Sequence, residues 1–303
     1  MNSFLKKFVI GEWNLGISNQ NFLQEFAKVK KDGKLKLRAQ WVSHNRYGSF
    51  FADPFIFSLT NNTAEILAEE YIFSIRKGVI SLCTINRKSA KMESRRVILE
   101  ESCHLSYPFY DNDTQCFMPE SSRNKSWASY NFDGTRITDK HIIAHKPFID
   151  CTPIQWHGRW YLFTVEQPNA LDTLLVFSSD KKDGEYIPHP LNPVKHSIVS
   201  SRPGGRCFLF NDELYRIVQD STRRYGEKLH ITHITELSET NFEEEYWCEI
   251  EIENNNRYPL GFHTLNFKDD FIVIDGFREV FRPFFATYIY KIVPILSKLG
   301  LHK

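Results

Sequence analysis

Between residues 50 and 275 the apolar positions recur in short runs bounded by turn residues, and no long stretch keeps a helical period. Runs such as Gly78–Ile85 and Thr173–Ser178 read as strands. Five places share one plan: a corner of a polar residue with Pro or Thr, a hairpin, and an apolar strand that ends on a polar or acidic residue. The corners are Asp53-Pro54, Tyr107-Pro108, Asp150 with Pro153, Arg202-Pro203 and His263-Thr264. Their units close, in the same order, on Glu69-Glu70, Glu120, Glu166, Gln219-Asp220 and Asp275. The corners fall roughly 45 to 60 residues apart, which is the length of a propeller blade. Asn61-Asn62, His157-Gly158, Asn211-Asp212 and Asp269-Asp270 supply turns inside the hairpins. The pattern predicts an all-β chain, a five-bladed β-propeller over residues 1–276 with a short C-terminal helical tail over 277–303. A β-sandwich would contain similar hairpins, but it gives no reason for acids to recur at one place in each unit. In a propeller the innermost strands converge on the axis, so equivalent residues meet in one central pocket.

Composition narrows the function. In 303 residues, 38 Lys and Arg stand against 37 Asp and Glu, which excludes a strongly basic nucleic-acid binder. The 25 Phe, 13 Tyr and 6 Trp suit side chains packed on pleated sheets. Cys83, Cys103, Cys116, Cys151, Cys207 and Cys248 form no C-x-x-C pair and none has a His at zinc spacing, so no metal and no cofactor is expected. The start of the chain is too soon acidic for a signal peptide, and no apolar stretch is long enough to span a bilayer. A cytoplasmic protein with reduced thiols is expected.

Two constellations could carry chemistry. The corners contribute Asp53, Tyr107, Asp150, Arg202 and His263, and the second strands Glu69 or Glu70, Glu120, Glu166, Gln219 with Asp220, and Asp275. Carboxylates crowded around one funnel raise one another's pKa, and one raised acid beside one ionised carboxylate is the equipment for making or breaking a glycosidic bond. The structural alternative is that each acid caps a turn or pairs with an arginine at a blade junction. The second constellation is basic: Arg202, Arg206, Arg216, Arg223, Arg224 and Lys228 fall within one repeat. Guanidinium forks suit phosphate, and Gly204-Gly205 could let backbone N–H groups approach an anion. No Walker loop, G-x-G-x-x-G or G-x-S-x-G occurs.

Several short words together carry a resemblance: Trp13-Asn-Leu-Gly-Ile, Phe51-Ala-Asp-Pro-Phe, Leu105-Ser-Tyr-Pro-Phe, Met118-Pro-Glu-Ser, Asp150-Cys-Thr-Pro, Trp160-Tyr-Leu-Phe, Ser201-Arg-Pro-Gly-Gly and Gln219-Asp with Tyr225-Gly. With them the chain resembles the propeller domain of the glucosamine inositolphosphorylceramide transferases. It resembles more distantly the five-bladed propeller glycoside hydrolases, the clan of arabinanases, invertases and levansucrases, which place a catalytic aspartate on the first blade. The resemblance implies a glycosyltransferase of surface-polysaccharide or glycolipid synthesis. Its partners would be a phosphate-activated sugar donor and a glycan or lipid-linked glycan acceptor. In that reading Asp53 or Asp150 is the base, Glu120 orients the sugar or stabilises the charged centre, and Arg202, Arg206 and Arg216 hold the phosphate. Glu69, Tyr107, Gln219, Asp220, His263 and Asp275 complete the binding set. The alternatives are a glycoside hydrolase with Asp53 as base and Glu120 as acid, and a non-catalytic glycan-binding propeller.

The tail differs from the rest of the chain. Pro283 suits a first helical turn, and Phe284, Phe285, Tyr288, Ile289, Ile292, Ile295, Leu296 and Leu299 follow at mainly helical spacing. Arg278, Arg282, Lys291 and Lys298 face only Glu279 in charge. Basic, aromatic and amphipathic, residues 278–303 are expected to make a peripheral contact at the inner face of a membrane. The competing expectation is a helix packed across the propeller or a dimer contact, broken at Pro294 into two short pieces.

Overall fold

A computed structural model describes residues 7–111, 113–253 and 255–298. Its strands form five separate sheets of four or five strands, the five blades of a propeller. Blade one is Ser49–Leu59, Thr63–Ile72, Lys77–Asn86 and Met92–Leu99. Blade two is Ser106–Asp111, Cys116–Glu120, Trp127–Phe132 and Ile137–Ala144. Blade three is Phe148–Trp156, Arg159–Glu166, Thr173–Ser179 and two short outer strands, Ile187–Pro188 and Lys195–His196. Blade four is Phe208–Phe210, Glu213–Asp220, Lys228–Leu237 and Phe242–Glu253. Gly33–Arg38 adds a fifth strand to it, parallel to Phe242–Glu253. Blade five closes the ring with strands from both ends of the chain: Leu265–Lys268, Phe271–Phe281, Val9–Ser18 and Gln40–Trp41.

The five corners open the five blades, as the repeat predicts, and a shared distortion marks three of them. The innermost strands of blades one, two and three each slip register at the corner, between Ala52 and Phe55, Ser106 and Phe109, and Ile149 and Thr152. Inside each slip one residue is left-handed: Asp53 at φ 49°, Tyr107 at 41° and Asp150 at 50°. A non-glycine residue pays a steric cost there, and a bulge uses it to re-aim the side chain. The same distortion thus turns Asp53, Tyr107 and Asp150 towards the interior near the axis.

The apolar cores lie between blades. One joins Phe55 and Leu67 of blade one to Phe109, Phe117 and Trp127 of blade two and Phe148 of blade three. Another joins Ile217, Leu229 and Ile231 of blade four to Ile272 and Ile274 of blade five, with the short helix Phe22–Phe26 capping it. The paired glycines serve this junction rather than a ligand. Gly204 N–H donates to Ile217 O, and a Cβ on Gly205, at φ 149°, would stand 2.0 Å from Leu265 O. The strands of blades four and five approach too closely there for any side chain.

The last strand runs to Phe281, past residue 276, because its pairing with Val9–Ser18 continues through Val9 and Phe281. Helical turns follow over Pro283–Thr287, Tyr288–Ile292 and Val293–Lys298, the middle one π-helical. Pro294 therefore does not split the tail; a widened turn precedes it, a common way to absorb a missing donor. Ala286, Ile289 and Val293 form a buried stripe on Ile10, Phe50, Tyr71 and Phe73, so the helix packs across the propeller. Leu299 lies outside the described residues, and of Leu296 and Lys298 only the backbone is described. No described helix is long and apolar enough to cross a membrane.

Candidate active site in the propeller funnel

A cavity of about 280 Å³ opens near the axis, and Asp53, Glu69, Glu120, Arg202 and His263 line it. Four of the five blades contribute to this set. The carboxylates follow from register. Glu69 lies opposite Ala52 and Glu120 opposite Ser106, each paired with the residue just before the left-handed corner. Because side chains alternate, Glu70 takes the other face, where it is fully buried against Arg46, Arg95, Ser49 and Ser81. In blade three the residue opposite Ile149 is Val165, so Glu166 lies one step out of phase and does not line the funnel.

Beneath the cavity is a hydrogen-bonded knot. Asp275 Oδ1 accepts from His263 N–H at 2.9 Å and Thr264 N–H at 3.1 Å, and its Oδ2 accepts from Asp53 N–H at 3.0 Å. Asp53 Oδ1 accepts from the Thr264 hydroxyl at 2.7 Å, and its Oδ2 from Tyr107 N–H at 3.1 Å. The His263 ring places Nδ1 2.6 Å from Asp275 Oδ2, off the line of a good hydrogen bond, and Nε2 3.5 Å from Asp53 Oδ1. Burial works against a charged imidazole, but Asp275 and Asp53 outweigh it and raise the His263 pKa.

The cavity acids are displaced in the direction that crowding predicts. Burial first, then Asp150 and Asp275, push Asp53 up to about 6, with His263 opposing. Burial and Asp150 push Glu120 up to about 7, against Arg202 and the Ser122 hydroxyl, which donates to Glu120 at 2.7 Å. Glu69 is raised well above the usual range by burial and by its neighbours Asp53 and Glu120. Asp53, Glu69 and Glu120 are thus all moved towards neutral pH, Asp53 the least and Glu69 the most, which leaves carboxyls able to take up and to give a proton in one cavity.

Asp150 does not line the cavity. At 2% exposure, it accepts from Arg202 Nε at 2.7 Å and from Gln219 Nε2 at 3.1 Å. It is the counter-ion that aims Arg202, and Gln219 holds it from behind. Arg202 in turn lies over the Tyr225 ring at 4.9 Å. Tyr107 is buried, with its hydroxyl on Thr152 Oγ1 at 2.9 Å.

The basic constellation of blade four does not assemble at the funnel; Arg223, Arg224 and Lys228 line a separate cavity of about 520 Å³ with Glu227 and Glu249. Arg206 binds Tyr110 O and lies over Phe109, beside blade two. Arg216 pairs with Glu244 at 2.8 Å and donates to Ser201 O, in the junction between blades three and four. Arg223 pairs with Glu227, Lys228 with Glu249, and Asp220 with His230 and Thr222. Of the arginines assigned to phosphate, Arg202 alone reaches the funnel. Arg206, before the first strand of the blade, turns to blade two, and Arg216, on Glu213–Asp220, turns into the junction with blade three.

Several lining residues had no signal of their own in the sequence: Phe50, Tyr71 and His104, while Ser106 lay in a quoted word. Trp13 and Tyr225 did lie in the quoted words, without an assigned role. Trp13 stacks on the His263 ring at 4.0 Å. A Cβ on Gly226, at φ 63°, would fall within 2.9 Å of both His263 and Trp13, so glycine beside Tyr225 makes this stack possible.

Asp53, His263 and Asp275 are the group among the described residues whose ligating atoms lie close enough to hold a cation, all within 4.8 Å. Every carboxylate oxygen there already accepts from a donor, which describes a hydrogen-bonded knot better than a set of free ligands.

A sequence model of the family described as "Glucosamine inositolphosphorylceramide transferase 1, N-terminal" matches residues 37–261, most of the chain. The glucosamine inositolphosphorylceramide transferase 1 of Oryza sativa subsp. japonica is 31% identical over 209 residues, 65% of this chain and 28% of that protein. The Arabidopsis thaliana protein of the same name is 29% identical over 221 residues, 68% of this chain and 28% of its own. The chain thus spans under a third of the length of these curated relatives. In fold it is similar to the catalytic domain of the Coprinopsis cinerea GH62 alpha-L-arabinofuranosidase, at TM-score 0.53 and 7% identity, over 78% of this chain and 83% of that one.

Proposed function

Because the chain belongs to the glucosamine inositolphosphorylceramide transferase 1 N-terminal family, we propose that it is a glycosyltransferase of glycolipid or surface-polysaccharide synthesis, acting from a phosphate-activated donor. The observation that carries this reading is the funnel, where Asp53 and Glu120, both raised towards neutral pH and Glu120 the more, share one cavity with the cationic Arg202. Asp53 accepts the proton of the attacking acceptor hydroxyl, and His263 and Thr264 orient its carboxylate. Glu120 hydrogen-bonds the sugar and supplies a proton where the leaving oxygen needs one. Arg202, aimed by Asp150, neutralises charge that grows on the leaving phosphate. Arg206 and Arg216 drop out of this role, since their guanidiniums are engaged elsewhere. We place the reaction at the inner face of a membrane, with the tail helix beside the funnel touching the lipid; six unpaired cysteines are in keeping with that compartment.

The test is transfer from candidate sugar nucleotides or sugar phosphates to lipid-linked acceptors, followed by mass spectrometry of the product. Asp53→Asn and Glu120→Gln should each lower turnover about 10²- to 10⁴-fold. Hydrolysis of an aryl glycoside with no phosphate donor present would favour the glycoside hydrolase reading instead. Unchanged transfer in both variants would remove these carboxyls from the mechanism.

A further inference from the structure

A second cleft, where blade five meets blade one, carries more positive charge than the fold itself uses. Its volume is about 170 Å³, and it shares Trp13 and Phe50 with the wall of the funnel. Arg46, Arg257, Arg278 and Arg282 line it, and Glu12 is the one carboxylate among its lining residues. Glu12 is already engaged twice, by Arg278 Nε at 2.8 Å and by Arg282 Nη2 at 3.1 Å. Arg46 reaches Glu70 at 3.3 Å, but Arg95 also holds that carboxylate, and the Arg46 side chain remains 47% exposed. Arg257 forms no ion pair with a described residue and stands 6.0 Å from the Tyr258 ring, which Arg278 also covers at 4.6 Å. Burial lowers the pKa of His44 in the same wall, so it adds a neutral imidazole at pH 7.

Two of the four guanidiniums share Glu12, a third shares Glu70 with Arg95, and Arg257 has no carboxylate, so positive charge is left over and the guanidiniums repel one another. An oxyanion with several acceptor oxygens relieves that repulsion and matches their planar forks. Directly after Arg282 comes the outer side of the terminal helix. Phe284 (91%), Tyr288, Ile292 and Ile295 are exposed there, three or four residues apart. The stripe opposite them is packed on Phe50 and Tyr71, and these two residues also line the funnel.

We propose that this cleft binds the phosphate ester of a lipid acceptor. The glycan attached to the phosphate then extends past Trp13 into the funnel, and the apolar chains leave across Phe284, Tyr288, Ile292 and Ile295. The acceptor role rests on the sugar-transfer reading above, but binding of the phosphate does not, so the two can fail separately. Each charge-assisted contact contributes about 1.5–3 kcal/mol, so each arginine lost should weaken binding about tenfold or more.

The experiment is sedimentation of the full chain with vesicles of phosphatidylcholine alone and of phosphatidylcholine containing phosphatidylinositol, beside calorimetry with a soluble sugar nucleotide. Arg257→Ala and the Arg46→Ala/Arg257→Ala pair leave the Arg278–Glu12–Arg282 contacts intact, and circular dichroism checks their fold. The expected result is selective binding to the phosphatidylinositol vesicles, weakened stepwise in the two variants, with the sugar nucleotide bound equally by all three proteins. Phe284→Ser/Ile295→Ser should weaken binding to both vesicle types. Equal vesicle binding by parent and arginine variants would overturn the proposal. Loss of sugar-nucleotide binding in the arginine variants, with vesicle binding intact, would overturn the lipid assignment and give the cleft to the donor.

Discussion

Glu120 shows how a site of this kind trades stability for chemistry. Its raised pKa means that the folded chain keeps a proton which the unfolded chain releases between the ordinary glutamate range and about 7. Over that window the native state binds more protons, so folding is favoured below it and loses free energy as pH rises through it. Glutamine carries no charge at any pH, and its carbonyl can still accept from the Ser122 hydroxyl. Glu120→Gln should therefore stabilise the fold by about 2 kcal/mol near pH 8, allowing for partial screening at the cavity wall, and by little near pH 4. Thermal melts at both pH values decide it: a melting difference independent of pH would mean that Glu120 is not held protonated. Asp53 is raised too, but Asp53→Asn is a poorer probe of stability. Its two oxygens accept from Thr264 and Tyr107, and an amide can replace only one acceptor.

At the scale of elements, the repeat made the corners readable because each blade re-uses one bulged turn and one register. Asp53, Tyr107 and Asp150 could thus be placed near the axis without any contact being known. What was not readable depends on which face of a strand a side chain takes and on segments distant in sequence. Glu166 is one residue out of phase, Arg206 and Arg216 are drawn to Tyr110 and Glu244, and the four cleft arginines come from three separate stretches. The tail was readable as a helix; that Arg278 and Arg282 share Glu12, from the other end of the chain, was not. Its docking rests on Ala286, Ile289 and Val293 with Phe285 edge-on to Phe73 at 5.4 Å, a smaller core than those between blades, so it should open more readily than they do. Ile289→Ser should undock it. Amide exchange over residues 283–298 should then quicken while the middle strands of blade one stay protected. Equal loss of protection in both would show that the helix is an integral part of the propeller.

For the whole molecule, the ring depends on a closure that no single blade provides. The outer closure is the ten-residue pairing of Val9–Ser18 with Phe271–Phe281. The inner closure is Asp275, whose carboxylate takes N–H donors from Asp53 of blade one and from His263 and Thr264 of blade five. One buried side chain therefore holds the Asp53 corner and ties blade five to blade one. Asp275→Asn keeps the shape but puts an NH2 group where one of those oxygens accepts. With the amide oxygen on the His263 and Thr264 donors, the NH2 faces the Asp53 N–H. Leaving a buried donor unmatched costs about 1–3 kcal/mol, with more expected because the lost acceptor is charged. His263 also loses the carboxylate that contributes most to raising its pKa. The variant should melt several degrees lower, and amide exchange should quicken together in Val9–Ser18 and Phe271–Phe281 while blades two and three hold. Its turnover should fall along with that of Asp53→Asn, because the base is no longer aimed. A variant with parental melting and exchange but lost turnover would place Asp275 in the chemistry alone and leave the closure to the strand pairing.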